Sequence, residues 1–349
     1  MTEPRNATLD IAKGLGILLV VFGHNDWVIA HPLLRNAIYT FHVPLFIFLA
    51  GIFFKPERPL GPMLASRADG VLKPYFVALL GLVAFQGLFR GGINIGRIQG
   101  VLYGTGATID WPPLWFLPYL FLMTLFAWLY WRVARLERAS PWHRAAALLV
   151  LLAAGVAIIR AEHASALRLL DLPLGKVGLP WSLDLLPLGG CYFLLGRCCR
   201  DAVLHTQWRP AAALLALLAF ALLFGYTGAT LDFNERTYDN LAASTASALL
   251  GTFLVLQFAA AVQRWSLATR ALRYVGESTL ILLLLHGVVQ VRVLEKLDGR
   301  FPAGAGSATH GMLAFAAAVL VPLVVGEVLA RIPPLGVLVL PRRKALRAG

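Results

Sequence analysis

The side chains in this chain best suited to chemistry are a lysine and a histidine eleven residues apart on one apolar segment. They are Lys13 and His24, in Leu9-Asp10-Ile11-Ala12-Lys13-Gly14-Leu15-Gly16-Ile17-Leu18-Leu19-Val20-Val21-Phe22-Gly23-His24. Eleven residues at about 100° each make three turns plus about 20°, so a helix carries both on one stripe. Asp10, three residues before Lys13, joins that stripe. Every residue between Lys13 and His24 is apolar or glycine. An ionisable group inside a membrane is costly and by default marks a functional site. Lysine offers a point charge for an anion, and imidazole offers an acid or base near neutral pH. About 16 Å of helix rise separates the two, so they serve two parts of one long substrate and not a single reacting atom.

Other polar side chains fall at the same two depths. Phe41-His42-Val43-Pro44-Leu45-Phe46 puts His42 near the outer end of a second apolar block, and His286 lies in the outer half of a ninth. Three of the eight histidines are thus expected at similar depth on three helices. Trp115 and Asp184 open the fourth and sixth blocks at that level. The inner level gathers Lys13, Arg67, Lys73 and the Glu277-Ser278-Thr279 step. A basic inner mouth suits a phosphate-bearing donor, and outer imidazoles and carboxylates suit proton transfer at a hydroxyl. Taken singly, each has a plainer reading: a helix-bridging histidine, an i,i+3 ion pair for Asp10 and Lys13, a cap for Asp184 or Ser278, an aromatic belt for the tryptophans.

The elements that must position these groups follow from composition. The 349 residues are 58% hydrophobic and 14% charged, with a mean hydropathy of +0.71, against roughly 25% charged in soluble domains. Ten blocks are read as membrane helices, near 10–29, 38–54, 74–90, 113–131, 144–160, 184–199, 210–227, 241–262, 274–291 and 310–331. The expected fold is therefore all-α: a polytopic membrane protein of about ten transmembrane helices, one domain over 1–349. The net charge of +13 is a topology signal. With the N-terminus inside, 21 of the 31 Lys and Arg fall on the inner side, the bias that puts both termini in the cytoplasm. It argues against a nucleic-acid partner and makes membrane lipid the surrounding medium. The first block lacks a cleavage pattern and reads as a retained helix. Cys191, Cys198 and Cys199 read as reduced structural thiols. No His, Cys or Glu spacing suggests zinc, so no metal is expected. Gly14-x-Gly16 follows no strand and lacks the third glycine of a dinucleotide fingerprint. No G-x-S-x-G elbow is present. Residues 55–73 read as the longest inner loop.

The same stretches resemble the acyltransferase-3 family of bacterial integral-membrane O-acyltransferases, in the subgroup similar to fucose 4-O-acetylases and exopolysaccharide acetyltransferases. They are Leu9–Gly14 through His24, Phe41–Gly51, Lys73-Pro74-Tyr75, Leu114-Trp115-Phe116-Leu117, and Gly276–Leu280 with His286. The most specific is a basic residue, ten residues, then histidine; Lys13 stands where arginine is commoner. The resemblance implies an inner-membrane enzyme with acetyl-CoA as donor and a sugar hydroxyl of a glycan or lipid-linked oligosaccharide as acceptor. It implies His24 as catalytic centre, with Lys13 and Asp10 in the catalytic set and the basic position handling the donor; the appended hydrolase-like domain that some members carry is not expected here. Lys13, Arg67, Lys73 and Ser278 are then the candidates for the donor. His42, Trp115, Asp184 and His286 are those for the acceptor. Asp184 or Asp26 is expected to set the His24 tautomer, with His42 or His286 on the oxyanion or on sugar hydroxyls. Direct transfer and an acyl-histidine intermediate both stay open, as does a non-acetyl donor. The alternatives are a transporter or flippase with a histidine proton relay, against which stands the lack of internal repeats, and a structural assembly subunit of a polysaccharide export system, in which His24 and Lys13 substitutions would be silent.

Overall fold

A computed structural model describes residues 6–90, 92, 94–301 and 307–341, the side chain of Arg90 excepted. Arg5 and the basic C-terminal residues Arg342, Arg343, Lys344 and Arg347, which entered the charge count, lie outside the described residues. The chain opens with α1 (Ala7–Gly23), α2 (Asp26–Ile29) and α3 (Pro32–Ile52). Helix α4 (Leu60–Arg67) passes through one π-helical turn (Ala68–Leu72) into α5 (Lys73–Arg90), and α6 (Ile95–Tyr103) follows. Then come α7 (Phe116–Val133), α8 (Pro141–Ala164), α9 (Leu174–Val177) and α10 (Leu186–Cys198). Short 3-10 segments, Pro112–Trp115 and Pro180–Leu185, lead into α7 and α10. The remainder is α11 (Arg200–Leu204), α12 (Pro210–Thr227), α13 (Leu241–Val262), α14 (Ser266–Glu277), α15 (Thr279–Arg300), α16 (Ala308–Arg331) and α17 (Pro333–Val339). Strand among the described residues is confined to two small hairpins, β1 (Arg168–Leu169) with β2 (Leu172–Pro173), and β3 (Leu231–Asp232) with β4 (Thr237–Tyr238).

Among the described residues seven helical stretches are long and apolar enough to cross a membrane: α3, Leu60–Phe89, Pro112–Val133, α8, α12, α13 and α16. They match seven of the ten expected blocks. The other three, near 10–29, 184–199 and 274–291, are helical but shorter or more polar. Helix α1 has 17 residues, about 26 Å of rise against a hydrocarbon core of about 30 Å. Helix α10 has 13 residues, and the end of α15 carries Arg292, Glu295, Lys296, Asp298 and Arg300. The 55–73 loop is corrected: its basic residues read as loop, but Leu60-Gly61-Pro62-Met63-Leu64-Ala65-Ser66-Arg67 folds as helix and runs on into α5. The second block begins earlier than expected, at Pro32, where proline suits a first helical turn. The ninth is split, because the chain breaks at Ser278 between α14 and α15.

The backbone packs into two compact units, one of residues up to Leu49, Cys199–Leu231 and Asp239–Val328, the other of Ala50–Cys198, Asp232–Tyr238 and the chain from Leu329. In the first, α1 is central: it packs on α13, α14 and α15, while α12 lies on α13. Gln263 Nε2 donates to Thr8 Oγ1 at 2.6 Å, tying the end of α13 to the start of α1. In the second, α10 packs on α7 and α8, and α17 on α5.

Helices α1 and α14 approach backbone to backbone. A Cβ on Gly14 would lie 2.2 Å from the Leu272 carbonyl oxygen, and one on Gly276 would lie 1.9 Å from that of Asp10. This is the small-residue contact by which membrane helices come close without a hydrophobic driving force between them. It explains Gly14, which the sequence could only dismiss as half a nucleotide motif. Gly14→Ala and Gly276→Ala must push two backbones apart and are expected to cost about 1–3 kcal/mol each. Gly61→Ala meets nothing within 4 Å and should be neutral or slightly stabilising by helix propensity. Thermal unfolding of the purified protein in detergent separates the three.

Candidate active site

Helix α1 ends at Gly23, and His24 is its C-cap at φ −92°, ψ 9°. Its backbone N–H donates to Val20 O at 3.2 Å, and its ring Nδ1 lies 2.8 Å from the same oxygen. A carbonyl only accepts, so Nδ1 carries the proton and Nε2 presents its lone pair. Among the described residues Nε2 has no hydrogen-bond partner, and the side chain is partly exposed. This corrects the expectation that a carboxylate sets the tautomer: Asp26 is exposed on α2, and the backbone does the work.

The structure brings two further expected residues to His24. The His286 ring, on α15, lies 5.4 Å from that of His24, centroid to centroid, edge to face. His286 is buried; its Nδ1 is held by Leu282 O (2.9 Å) and Leu283 O (3.1 Å), and its Nε2 is buried without a partner. His42, on α3 and buried, places Nδ1 3.1 Å from Ile38 O. All three rings thus share one tautomer, each fixed by a carbonyl of the preceding turn. Neutral rings so held accept hydrogen bonds through Nε2. They suit a hydroxyl donor and do not suit an oxyanion, which needs a donor.

Tyr39 was missed by sequence reasoning. Its ring lies 5.8 Å from His24 and 4.6 Å from His42, and the Arg35 guanidinium sits 4.3 Å over its face. Residues 35, 39 and 42 form one stripe of α3, a spacing readable once His42 is singled out. Also missed were Asn25 and Gln290, both buried, whose amides meet at 2.8 Å.

Lys13 stands three turns below His24 and pairs with Asp10 at 3.4 Å; Asp10 is buried and its Oδ2 has no partner. Ser278 is buried at the α14–α15 break. These residues all belong to the first unit.

Arg67, Lys73, Trp115 and Asp184 belong to the second. Lys73 Nζ is engaged at 2.7 Å by both Asp69 Oδ1 and Leu340 O. Arg67, at the other end of the π turn, makes no hydrogen bond or ion pair among the described residues. Trp115 is buried against Phe116 and Tyr119. Asp184 is fully committed. Its Oδ2 accepts from Arg236 Nε at 2.8 Å and its Oδ1 from Leu179 N at 2.8 Å. Arg236, 1% exposed, also donates to Ser182 Oγ and Asn234 O. Burial, with the Asp184 carboxylate nearby, raises the Tyr103 phenol above its ordinary range. Sequence reasoning singled out Asp184 but not Arg236, and so missed the pair. Among the described residues no three His, Cys, Asp or Glu are arranged to hold a metal ion.

A helical chain with seven membrane-crossing stretches, carrying an oriented imidazole above a lysine–aspartate pair, is a multi-pass membrane protein with a polar site built around α1. Residues 6–327 match the family model described as an acyltransferase domain, of the acyltransferase-3 type. The chain belongs to that family and is a membrane acyltransferase. Comparison with curated proteins and with solved structures gave no match.

The buried Asp184–Arg236 pair sets its own prediction. Removing one partner of a buried pair strands a charge and costs about 3–5 kcal/mol, whereas replacing both with apolar side chains can be nearly neutral. Asp184→Ala is therefore expected to lower the unfolding temperature far more than the double change Asp184→Leu with Arg236→Met, measured by thermal unfolding.

Proposed function

We propose that the protein is an O-acetyltransferase of the bacterial inner membrane, with its N-terminus in the cytoplasm. It moves an acetyl group from acetyl-CoA to a sugar hydroxyl of a surface glycan or exopolysaccharide, lipid-linked or polymerised. The observation that carries this reading is the fixed tautomer of His24. The backbone holds Nδ1–H, and the lone pair of Nε2 faces a partly exposed position with no other partner.

The acceptor hydroxyl gives its proton to His24 Nε2 while its oxygen attacks the thioester carbonyl. The new C–O bond forms, the C–S bond breaks, and the leaving thiolate takes the proton from the imidazolium to give free CoA. General-base help of this kind is worth about 10²–10⁴ in rate. Lys13, held by Asp10, supplies positive charge toward the donor from the inner side, and Arg67 supplies an uncommitted guanidinium. Lys73 neutralises Asp69 and is the weaker candidate, and Ser278 is a further candidate on the first unit. His42 and His286 accept from sugar hydroxyls; Trp115, buried against Phe116 and Tyr119, and Asp184, committed to Arg236, serve the packing of the second unit.

His24→Ala and His24→Gln are expected to lower acetyl transfer at least ~100-fold with normal amounts of folded protein. Loss of the acetyl mass from surface glycan and loss of CoA thiol release are the measurements; a variant that keeps its rate removes His24 as the base. Lys13→Ala should raise KM for acetyl-CoA about tenfold, the worth of one charge-assisted contact, and Lys13→Arg should restore it.

A further inference from the structure

The segment just after His24 is held by a closed amide network. Asn25, 0% exposed, caps α2 with its Oδ1, which accepts from Trp27 N at 3.1 Å. Its Nδ2 donates to Gln290 Oε1 and to Gly311 O, each at 2.8 Å. Gln290, 2% exposed, turns its own Nε2 to Val21 O at 2.9 Å. That oxygen is among the last four carbonyls of α1, which have no partner within their own helix. Gly311 is required where it stands, because a Cβ there would lie 2.8 Å from Asn25 Oδ1 and 2.7 Å from Trp27 Cβ. Three helices of the first unit, α1, α15 and α16, therefore meet at one pair of side chains.

Gln290 is four residues beyond His286 and shares its helix face. Asn25 directly follows His24. Neither amide is hydrogen-bonded to an imidazole among the described residues, yet together they fix the height of α15 against the end of α1, and so of one ring against the other. We infer that Asn25 and Gln290 are positioning residues for His24, an inference that rests on His24 being the base. They hold its Nε2 at the reacting hydroxyl and take no part in holding the donor.

The test uses membranes of the source organism lacking its own copy of the gene, so that the native acceptor is present, with the full chain supplied and acetyl-CoA as the varied probe. Thiol release gives kcat and KM, normalised to protein that elutes folded on gel filtration. Gln290→Met removes both amide contacts at equal length. Asn25→Ser keeps a good helix cap but drops both donations, and it decides the matter alone if Gln290→Met does not fold. The expected result is a kcat reduced tenfold or more with KM for acetyl-CoA within twofold, and a double variant no worse than the more severe single one. A kcat reduced less than tenfold, a KM that moves in step with kcat, or single effects that multiply in the double variant overturn the inference. An active His24→Gln sinks the catalytic reading itself; an inactive His24→Gln beside a fast Gln290→Met sinks only the positioning role.

Discussion

One hydrogen bond, from His24 Nδ1 to the Val20 carbonyl, governs the chemistry this chain offers. In a hydrocarbon slab a polar group without a partner costs several kcal/mol, so an imidazole placed there must spend one nitrogen on the protein. The spare carbonyls at a helix end are the nearest acceptors. Val20 O takes both the backbone and the ring N–H of His24, filling its two lone pairs. Nothing is left to compete for Nε2. His286 repeats the solution on Leu282, and Val20 and Leu282 belong to one apolar cluster with Ile17 and Val275. The packing that buries these residues is thus also the packing that orients the two rings.

That dependence explains what was legible in the sequence. The Lys13–His24 stripe follows from helical periodicity and survives in the structure because α1 is a regular helix from its Asn6 cap to Gly23. The histidine cluster was legible by depth alone, since three helices of roughly known register leave little freedom along the membrane normal. The tautomer was not legible. A carboxylate partner was the chemically familiar expectation, but the decisive acceptor is a main-chain oxygen that every sequence possesses. The Asn25–Gln290 bond joins residues 265 positions apart, and nothing in either segment's composition points to the other. Seven of the ten expected spans stand out by length and apolarity among the described residues, and the other three do not, for a related reason. Helices α1 and α10 are sheltered by neighbours and need not meet the length or apolarity that lipid demands of an exposed span.

The second unit shows the same rule with charges. Arg236, in the loop between β3 and β4, is drawn into the protein by Asp184, Ser182 and Asn234. Trp181, Ser182 and Arg236 all have φ near +54°, a left-handed conformation that costs non-glycine residues of order 1 kcal/mol or more. Such backbone persists only where its surroundings over-determine it. Here the ion pair does so, and Gly178 adds to it: at φ +65°, it leaves room beside the guanidinium where a Cβ would clash. The loop is therefore ordered by its buried cation together with two carboxylates: Asp232 Oδ1 accepts from Asn234 N and Glu235 N, and Asp239 Oδ2 accepts from the N–H and hydroxyl of Thr230.

The π turn between Arg67 and Lys73 extends the argument to two cations of the second unit. Grouping both as inner cations treated depth as sufficient. Six residues of α-helix rotate by about 600°, leaving two side chains about 120° apart, so shared depth never meant a shared face. The turn that separates them also carries Asp69, which captures Lys73 one turn on with help from the Leu340 carbonyl. Arg67 has no such captor among the described residues. A lysine held by a carboxylate and a carbonyl must give up both contacts before it can meet another anion, and a guanidinium without such contacts gives up neither. Of the two cations flanking the π turn, Arg67 is consequently the one whose charge is not already neutralised among the described residues.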